Sequence, residues 1–271
     1  MLSFRNATIA LGGRDILRNL DLEIDEGEFI GVFGSNGAGK TTLMRAVLGL
    51  IRPRDGSILL GGVAPRPGAR AIGYMPQAHA NLARLNLTGF DLLASSICGA
   101  KWGWPVLSAA HRREVERVLA LVGAGDLGRR PVNELSGGER QRLLIAQVLI
   151  GSPRLLLLDE PLVSLDPRHQ HMVVDLVKGI SRELRLTVLF CEHDLNPLLP
   201  VLDRVLYLGQ GNAALGTVDQ VVTGPVLSKL YDAEIDVVRA AGRIFVMAGG
   251  QSVGVGAHQH DHHDHGGHAD A

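Results

Sequence analysis

A glycine-rich segment near the N-terminus has the residue types and spacing that bind a chain of phosphates. It begins at Gly34 and ends with Gly39, Lys40 and Thr41, so it fits the pattern G-x-x-x-x-G-K-[ST] in full. Its glycines allow the loop to curl until successive backbone N–H groups point at one phosphate chain, and the helix that follows adds positive charge at its N-terminus. We expect Lys40 to reach the terminal phosphates and the Thr41 hydroxyl to hold Mg²⁺.

Two adjacent acids, Asp159 and Glu160, follow a run of four leucines at residues 155–158. Such a run is typical of a buried parallel strand, and ligands bind at the carboxyl ends of these strands. A buried carboxylate without a partner is costly, so two of them at this place indicate a function. We expect Asp159 beside Mg²⁺ and Glu160 as the general base that polarises an attacking water. An ordinary helix cap is the alternative that the pair alone leaves open.

A second glycine-containing helix start, residues 135–139, lies between these two segments and has the sequence Leu-Ser-Gly-Gly-Glu. Ser136 can cap the helix, and the backbone N–H groups of Gly137 and Gly138 are then available to an anion. The chain therefore offers two helix N-termini at which a phosphate could bind.

The elements that must position these residues alternate between strand and helix. Residues 28–33, 154–158 and 187–191 are almost continuously apolar, which predicts buried strands, while residues 41–50 and 167–184 have a helical pattern. This alternation predicts a parallel sheet with right-handed crossovers, and therefore an α/β fold.

The remaining segments differ in character from this core. Residues 19–25 alternate as in a half-exposed strand, and residues 81–150 are mostly helical in pattern, most clearly at 111–122. Residues 235–247 predict a hairpin around Ala241-Gly242. From about residue 249 the chain consists of Gly, Ala, His and Asp without apolar periodicity, which predicts a disordered tail.

Charge and hydropathy argue against nucleic-acid binding and against a membrane-spanning segment. The formal net charge of -1 gives no electrostatic case for binding nucleic acid. No apolar run approaches the roughly 20 residues that span a bilayer, and the first residues lack the pattern of a signal peptide. We therefore expect a cytoplasmic protein whose membrane connection comes through a partner.

These motifs occur in an order that resembles the ABC ATPase family. Residues 34–42 resemble its Walker A motif, residues 135–139 its LSGGQ signature and residues 155–160 its Walker B motif. Gln77 is similar to the Q-loop glutamine, residues 164–166 to the D-loop, and His193 to the H-loop histidine. The resemblance covers about residues 1–225.

The resemblance implies a P-loop NTPase (RecA-like) parallel sheet with an N-terminal antiparallel β portion and an inserted helical subdomain. We expect an ATPase domain at 1–225 that includes the helical subdomain at about 81–150. A helix and hairpin extension at 226–248 and the tail at 249–271 would follow.

The resemblance also implies roles for individual residues. Glu160, His193, Gln77 and Lys40 would serve catalysis, with His193 on the γ-phosphate, and Thr41, Gln77 and Asp159 would surround Mg²⁺. Ser136, Gly137 and Gly138 of a second copy would cover the same phosphate, so the active unit is expected to be a homodimer. The residues expected to contact ATP are Gly34, Ser35, Asn36, Gly37, Ala38, Gly39, Lys40, Thr41, Thr42, Ser136, Gly137, Gly138 and Asp166.

The family contains transporter subunits and soluble ATPases of translation or DNA repair. A single ATPase domain without a long coiled coil favours a transporter subunit at the cytoplasmic face of the membrane. Its expected partners are a membrane permease and an extracytoplasmic metal-binding protein. The segment from Cys191 to Leu208 most resembles zinc/manganese importers, and iron-siderophore or haem importers are the alternative.

The C-terminal tail supports a metal cargo independently. Imidazole suits zinc, copper, nickel and cobalt, and a solvated tail without a role in transport is the alternative. The histidines with a possible chelating role are His258, His260, His262, His263, His265 and His268.

Three positions within the ATPase region bear on partners and affinity. Trp102 and Trp104 are candidates for permease contact, although a place in the core of the subdomain is equally consistent with the sequence. Leu11 occupies the position where the family usually stacks an aromatic residue on adenine, which predicts weaker ATP binding and looser base selectivity.

Leu11→Tyr should therefore tighten ATP binding. Stacking of a base on an aromatic ring is worth roughly 1–3 kcal/mol, so we expect about a tenfold lower Kd. Leu11→Ile is the control that keeps an aliphatic side chain. Equal Kd values for ATP in titrations of all three proteins would show that Leu11 does not contact the base.

Overall fold

The computed structural model describes residues 1–77, 86–98 and 107–249. The strands are β1 (Leu2–Leu11), β2 (Arg14–Ile24), β3 (Phe29–Phe33), β4 (Asp55–Leu60), β5 (Ile72–Met75), β6 (Leu155–Asp159), β7 (Thr187–Cys191), β8 (Arg204–Gly209), β9 (Asn212–Gly216), β10 (Ile235–Ala240) and β11 (Arg243–Ala248). The α-helices are α1 (Lys40–Val47), α2 (Gly89–Cys98), α3 (Ala109–Leu121), α4 (Gly137–Val148), α5 (Pro167–Leu184), α6 (Val218–Val221) and α7 (Gly224–Tyr231).

The central sheet has the strand order β5-β6-β7-β3-β8-β9. Its first five strands are parallel, and only β9 pairs antiparallel, with β8. The buried strand predicted at 187–191 is β7, and the predicted helix at 167–184 is α5. Because β3, β6 and β7 are parallel neighbours, the segments that follow them emerge at one edge of the sheet.

The N-terminal strands form a separate antiparallel sheet of order β2-β1-β4. It packs on one face of the central sheet together with α1, and helices cover the other face. The leucine run of β6 packs on both faces of the central sheet. Leu155 and Leu157 lie in the core shared with the N-terminal sheet and α1, while Leu156 and Leu158 lie in the core on the opposite, helical face. Successive side chains of a strand point to opposite faces, so a strand buried on both faces needs apolar residues throughout.

The predicted helical region is represented by α2, α3 and α4. Ser108 caps α3 by accepting a hydrogen bond from the backbone N–H of His111 at 3.2 Å. Trp102 and Trp104 lie outside the described residues. No helix within residues 1–77, 86–98 and 107–249 is both long and apolar enough to cross a membrane.

The hairpin predicted at the C-terminal end is formed by β10 and β11. It does not stand apart, because Leu227 and Leu230 of α7 and Ile244 of β11 are buried in the core that covers the helical face of the central sheet. The side chain of Asn196 fastens the hairpin: its Nδ2 donates to the carbonyl of Ile244 at 3.0 Å, and its Oδ1 accepts from the Ile244 N–H at 2.8 Å. The hairpin is thereby joined to the segment three residues after His193.

Asn196→Ala should loosen this hairpin. Two hydrogen bonds worth about 1 kcal/mol each are lost, so amide exchange at Ile244 should accelerate by about tenfold or more. Asn212→Ala, at an exposed position that begins β9, is the matched control. Hydrogen-exchange mass spectrometry that finds the same protection of β11 in all three proteins would contradict the proposed fastening.

Candidate nucleotide-binding site

The predicted phosphate loop connects β3 to α1 at the centre of the sheet. Gly34 has no room for a side chain, because a Cβ there would lie 2.5 Å from the carbonyl oxygen of Leu208. The Lys40 side chain is turned into the loop and is 7% exposed, with its Nζ 2.7 Å from the Gly34 carbonyl and 3.4 Å from that of Ser35. The loop therefore holds a cation where the pattern predicts that phosphate binds.

Thr41 and Asp159 come together across the edge of the sheet. The Thr41 hydroxyl donates to Oδ2 of Asp159 at 3.5 Å. Burial raises the pKa of Asp159, the adjacent Glu160 raises it further, and the Thr41 hydrogen bond and Lys40 oppose this. The Thr41 hydroxyl and the buried Asp159 carboxylate are oxygen ligands of the kind that Mg²⁺ prefers, and a bound cation would offset the cost of keeping Asp159 charged.

The Glu160 carboxylate contacts two of the other predicted residues. Gln77 Nε2 donates to its Oε2 at 2.5 Å, and His193 Nε2 lies 2.5 Å from its Oε1. The Glu160 residue is only 9% exposed, and its backbone has the left-handed φ of 51°. The side chains predicted to be Q-loop, general base and H-loop are thus in direct contact.

The predicted signature segment begins α4. Ser136 accepts from the backbone N–H of Glu139 at 3.3 Å, and the Glu139 carboxylate accepts from the Ser136 N–H at 2.8 Å. This reciprocal cap satisfies two backbone N–H groups at the start of α4, and either glutamate or glutamine can supply it. Arg130 Nη1 also donates to the Glu139 carboxylate, at 2.5 Å.

The signature and the predicted D-loop touch through His169. A Cβ at Gly138 would lie 2.7 Å from the imidazole of His169, whose Nδ1 lies 2.5 Å from Oδ2 of Asp166. Asp166 also caps α5 by accepting from the His169 N–H at 3.1 Å. Within the described residues, no hydrogen bond or ion pair joins Ser136, Gly137 or Gly138 to the phosphate loop.

Comparison with known families decides the membership of the chain. The ABC transporter family matches residues 17–163, which is more than half of the sequence. This protein is an ABC transporter ATP-binding protein. It is accordingly an ATP-binding protein whose hydrolysis of ATP is coupled to transport.

Several known proteins are similar to this ABC protein over most of its length. The hemin import ATP-binding protein of Bordetella pertussis (strain Tohama I) is 35% identical over 91% of this chain and 99% of its own length. The spermidine/putrescine import ATP-binding protein of Mesoplasma florum is 36% identical over 83% of this chain and 64% of its own length. A chain from a solved inward-facing metal-chelate type ABC transporter superposes with a TM-score of 0.74 at 24% identity, covering 90% and 95% of the two chains.

These comparisons confirm the predicted P-loop NTPase fold and ATPase activity. They do not support the expectation of a zinc/manganese importer in particular, because the named relatives import hemin and polyamines. The six tail histidines from His258 to His268 lie outside the described residues. Leu11 is 48% exposed at the end of β1.

Two residues of this ABC protein contact the site without having been predicted from the sequence. The Tyr231 hydroxyl, on α7, accepts from the backbone N–H of Ser35 at 3.1 Å, and nothing in the pattern of α7 marks this contact. Glu192 is 7% exposed and accepts from the backbone N–H of Leu162 at 2.9 Å. An acidic residue directly before His193, at the end of a buried strand, is the sequence feature that could have marked Glu192 as part of the site.

Burial raises the pKa of Glu192 to about 7. The charges of Glu160 and Asp194 act in the same direction, while the backbone N–H groups of Leu162 and His193 oppose them. Since the folded-state pKa lies above the ordinary value of 4.5, the folded protein binds the proton more tightly than the unfolded chain. Stability should therefore fall as pH rises from about 4.5 to about 7.

Glu192→Gln should remove this contribution, because an amide does not titrate. The quantity to compare is the free energy of unfolding of the nucleotide-free variant minus that of wild type. This difference should be larger at about pH 8 than at about pH 5, by up to roughly 3 kcal/mol. Glu183→Gln, at an exposed position on α5, is the control. Urea unfolding at the two pH values measures the difference, and parallel behaviour of all three proteins would contradict the buried titration.

Proposed function

We propose that this chain is the ATP-hydrolysing subunit of a membrane importer. The observation that carries the proposal is the position of Glu160, whose two carboxylate oxygens contact Gln77 and His193. This contact lies at the edge of the sheet where the phosphate loop begins. A carboxylate held between two polar side chains at such an edge is suited to orient a water toward a terminal phosphate.

Each polar side chain at this edge has a role in the proposal. Lys40 would bind the terminal phosphates, and Thr41 and Asp159 would hold Mg²⁺, which would neutralise phosphate charge there. Glu160 accepts the proton of the attacking water, and His193 orients the γ-phosphate. Gln77 directly precedes the helical subdomain at about 81–150, which we expect to receive the permease, so its contact with Glu160 connects the catalytic carboxylate to that subdomain.

We infer that the working unit is a homodimer bound to a permease at the cytoplasmic face of the membrane. The chain has one phosphate loop and one signature segment, and no hydrogen bond or ion pair joins the two within the described part of the molecule. A second copy would bring Ser136, Gly137 and Gly138 to the phosphates. ABC importer ATPases act as such dimers, which supports this arrangement.

For the cargo we propose haem or a related iron chelate, delivered by an extracytoplasmic binding protein. The support is a hemin import relative that is 35% identical and aligns over 99% of its own length. A divalent transition metal, zinc above all, is the second candidate. The specific observation in its favour is the tail, where six histidines and two aspartates lie between residues 258 and 268.

Cellular uptake experiments test both the role of Glu160 in ATP hydrolysis and the proposed cargo. Glu160→Gln should bind ATP but lose almost all hydrolysis, because an amide cannot accept the proton of water. Uptake of haem, zinc and manganese is then compared in cells carrying wild type, Glu160→Gln or the control Glu183→Gln, under limitation of each nutrient. Loss of haem uptake alone would agree with the first candidate, and loss of zinc or manganese uptake alone would replace it with the second.

Deletion of residues 258–271 tests whether the tail is needed for ATP hydrolysis or for metal uptake. The truncated protein should keep its basal ATPase rate, and zinc uptake should fall only if the tail serves a metal importer. Normal hydrolysis by Glu160→Gln would refute the assignment of the general base. Unchanged uptake of all three nutrients in cells with an inactive ATPase would remove both cargo candidates.

A further inference from the structure

The turn that follows β6 is held in an unfavourable backbone conformation. Glu160 and Ser164 have φ angles of 51° and 65°, in the left-handed region that residues with a side chain rarely occupy. Such conformations persist only where the surrounding structure holds them, and they cluster at functional sites. What holds this turn therefore also sets the direction of the Glu160 carboxylate.

Three hydrogen bonds hold the first residues of the turn. The backbone N–H of Glu160 donates to the carbonyl of Cys191 at 3.0 Å. Gln141, on the signature helix α4, donates from Nε2 to the carbonyl of Pro161 at 2.6 Å. The backbone N–H of Leu162 donates to Oε1 of Glu192 at 2.9 Å. Consecutive residues of the turn are thus fixed by β7, by α4 and by the Glu192 side chain.

Glu192 is itself fixed by the centre of the sheet. Its backbone N–H donates to the carbonyl of Val32 at 3.2 Å, two residues before the phosphate loop begins. It also immediately precedes His193, which contacts Glu160. One residue therefore connects the end of β3, the histidine and the turn that carries the catalytic acid.

The position of Glu192 is costly for a carboxyl group. It is buried near Glu160, and its raised pKa reflects that burial first. The Leu162 N–H can donate to the carboxyl in either protonation state, so the hydrogen bond to the turn does not depend on the charge.

We propose that Glu192 is a positioning residue for ATP hydrolysis: by accepting the Leu162 N–H, it holds the turn that aims Glu160 between Gln77 and His193. This inference rests on the proposed role of Glu160 as general base. The competing explanation is that Glu192 contributes only to stability, as a buried acceptor can anywhere in a fold.

A matched control exists at the other end of the same strand. Thr187, at the start of β7, is fully buried, and its hydroxyl accepts from the backbone N–H of Gly27 at 2.9 Å. Thr187→Val removes a buried acceptor for a loop N–H, as Glu192→Met does, but far from the carboxyl ends of the strands. Glu192→Gln keeps an acceptor of the same length.

The test compares kcat, KM and ATP affinity of the purified full-length variants below their melting temperatures. Glu192→Met should lower kcat by about tenfold or more while KM and Kd for ATP stay within about twofold, because the lost interaction orients the base and does not bind the nucleotide. Glu192→Gln should recover kcat to within about threefold of wild type. Thr187→Val should lower Tm and leave kcat unchanged. Glu192→Ser, too short to reach Leu162, repeats the test if the methionine variant does not fold.

The inference is overturned if kcat falls no more in Glu192→Met than in Thr187→Val, or if Glu192→Gln fails to recover the rate. It is also overturned if the loss appears in ATP affinity and not in kcat. Glu160→Gln, assayed alongside, separates the two proposals. If Glu160→Gln hydrolyses ATP normally, the general base itself is misassigned. If Glu160→Gln is inactive while Glu192→Met is active, only the role of Glu192 falls.

Discussion

The parallel alignment of β6, β7 and β3 is the constraint on which the site depends. Side by side and in the same direction, these strands end at one edge and deliver the phosphate loop, the acidic pair and His193 to a common place. The apolar residues of these strands make this possible, because they bury both faces of the sheet, and the polar residues of the candidate site follow where the strands end. Catalytic geometry and core packing are therefore consequences of the same arrangement.

Within that arrangement, three acids are buried: Asp159, Glu160 and Glu192. Burial raises the pKa of Asp159 and of Glu192, and the charge of Glu160 raises both further. Each has a different compensation: the Thr41 hydroxyl, the contacts from Gln77 and His193, and the backbone N–H of Leu162. Acids with perturbed pKa values cluster at functional sites, and such a cluster is suited to a cation.

The sequence alone was sufficient for elements whose signal is local. The β7 strand and the α5 helix have the predicted bounds because their apolar patterns are continuous, and the phosphate loop follows from a strict motif. Glu192 and Tyr231 could not be assigned, because their partners Leu162 and Ser35 lie 30 and 196 positions away in the chain. Cargo could not be assigned either, since the residues that hydrolyse ATP are not those that recognise what is transported.

The contact between Tyr231 and the phosphate loop has a consequence for how the protein is made. The backbone N–H of Ser35 receives its acceptor from a residue synthesised almost 200 positions later. While the chain is still growing, the sheet can form around β3 with the loop lacking this partner. A growing chain that has released every strand partner of β3 but not yet α7 would therefore contain the phosphate loop without the hydroxyl that accepts from Ser35.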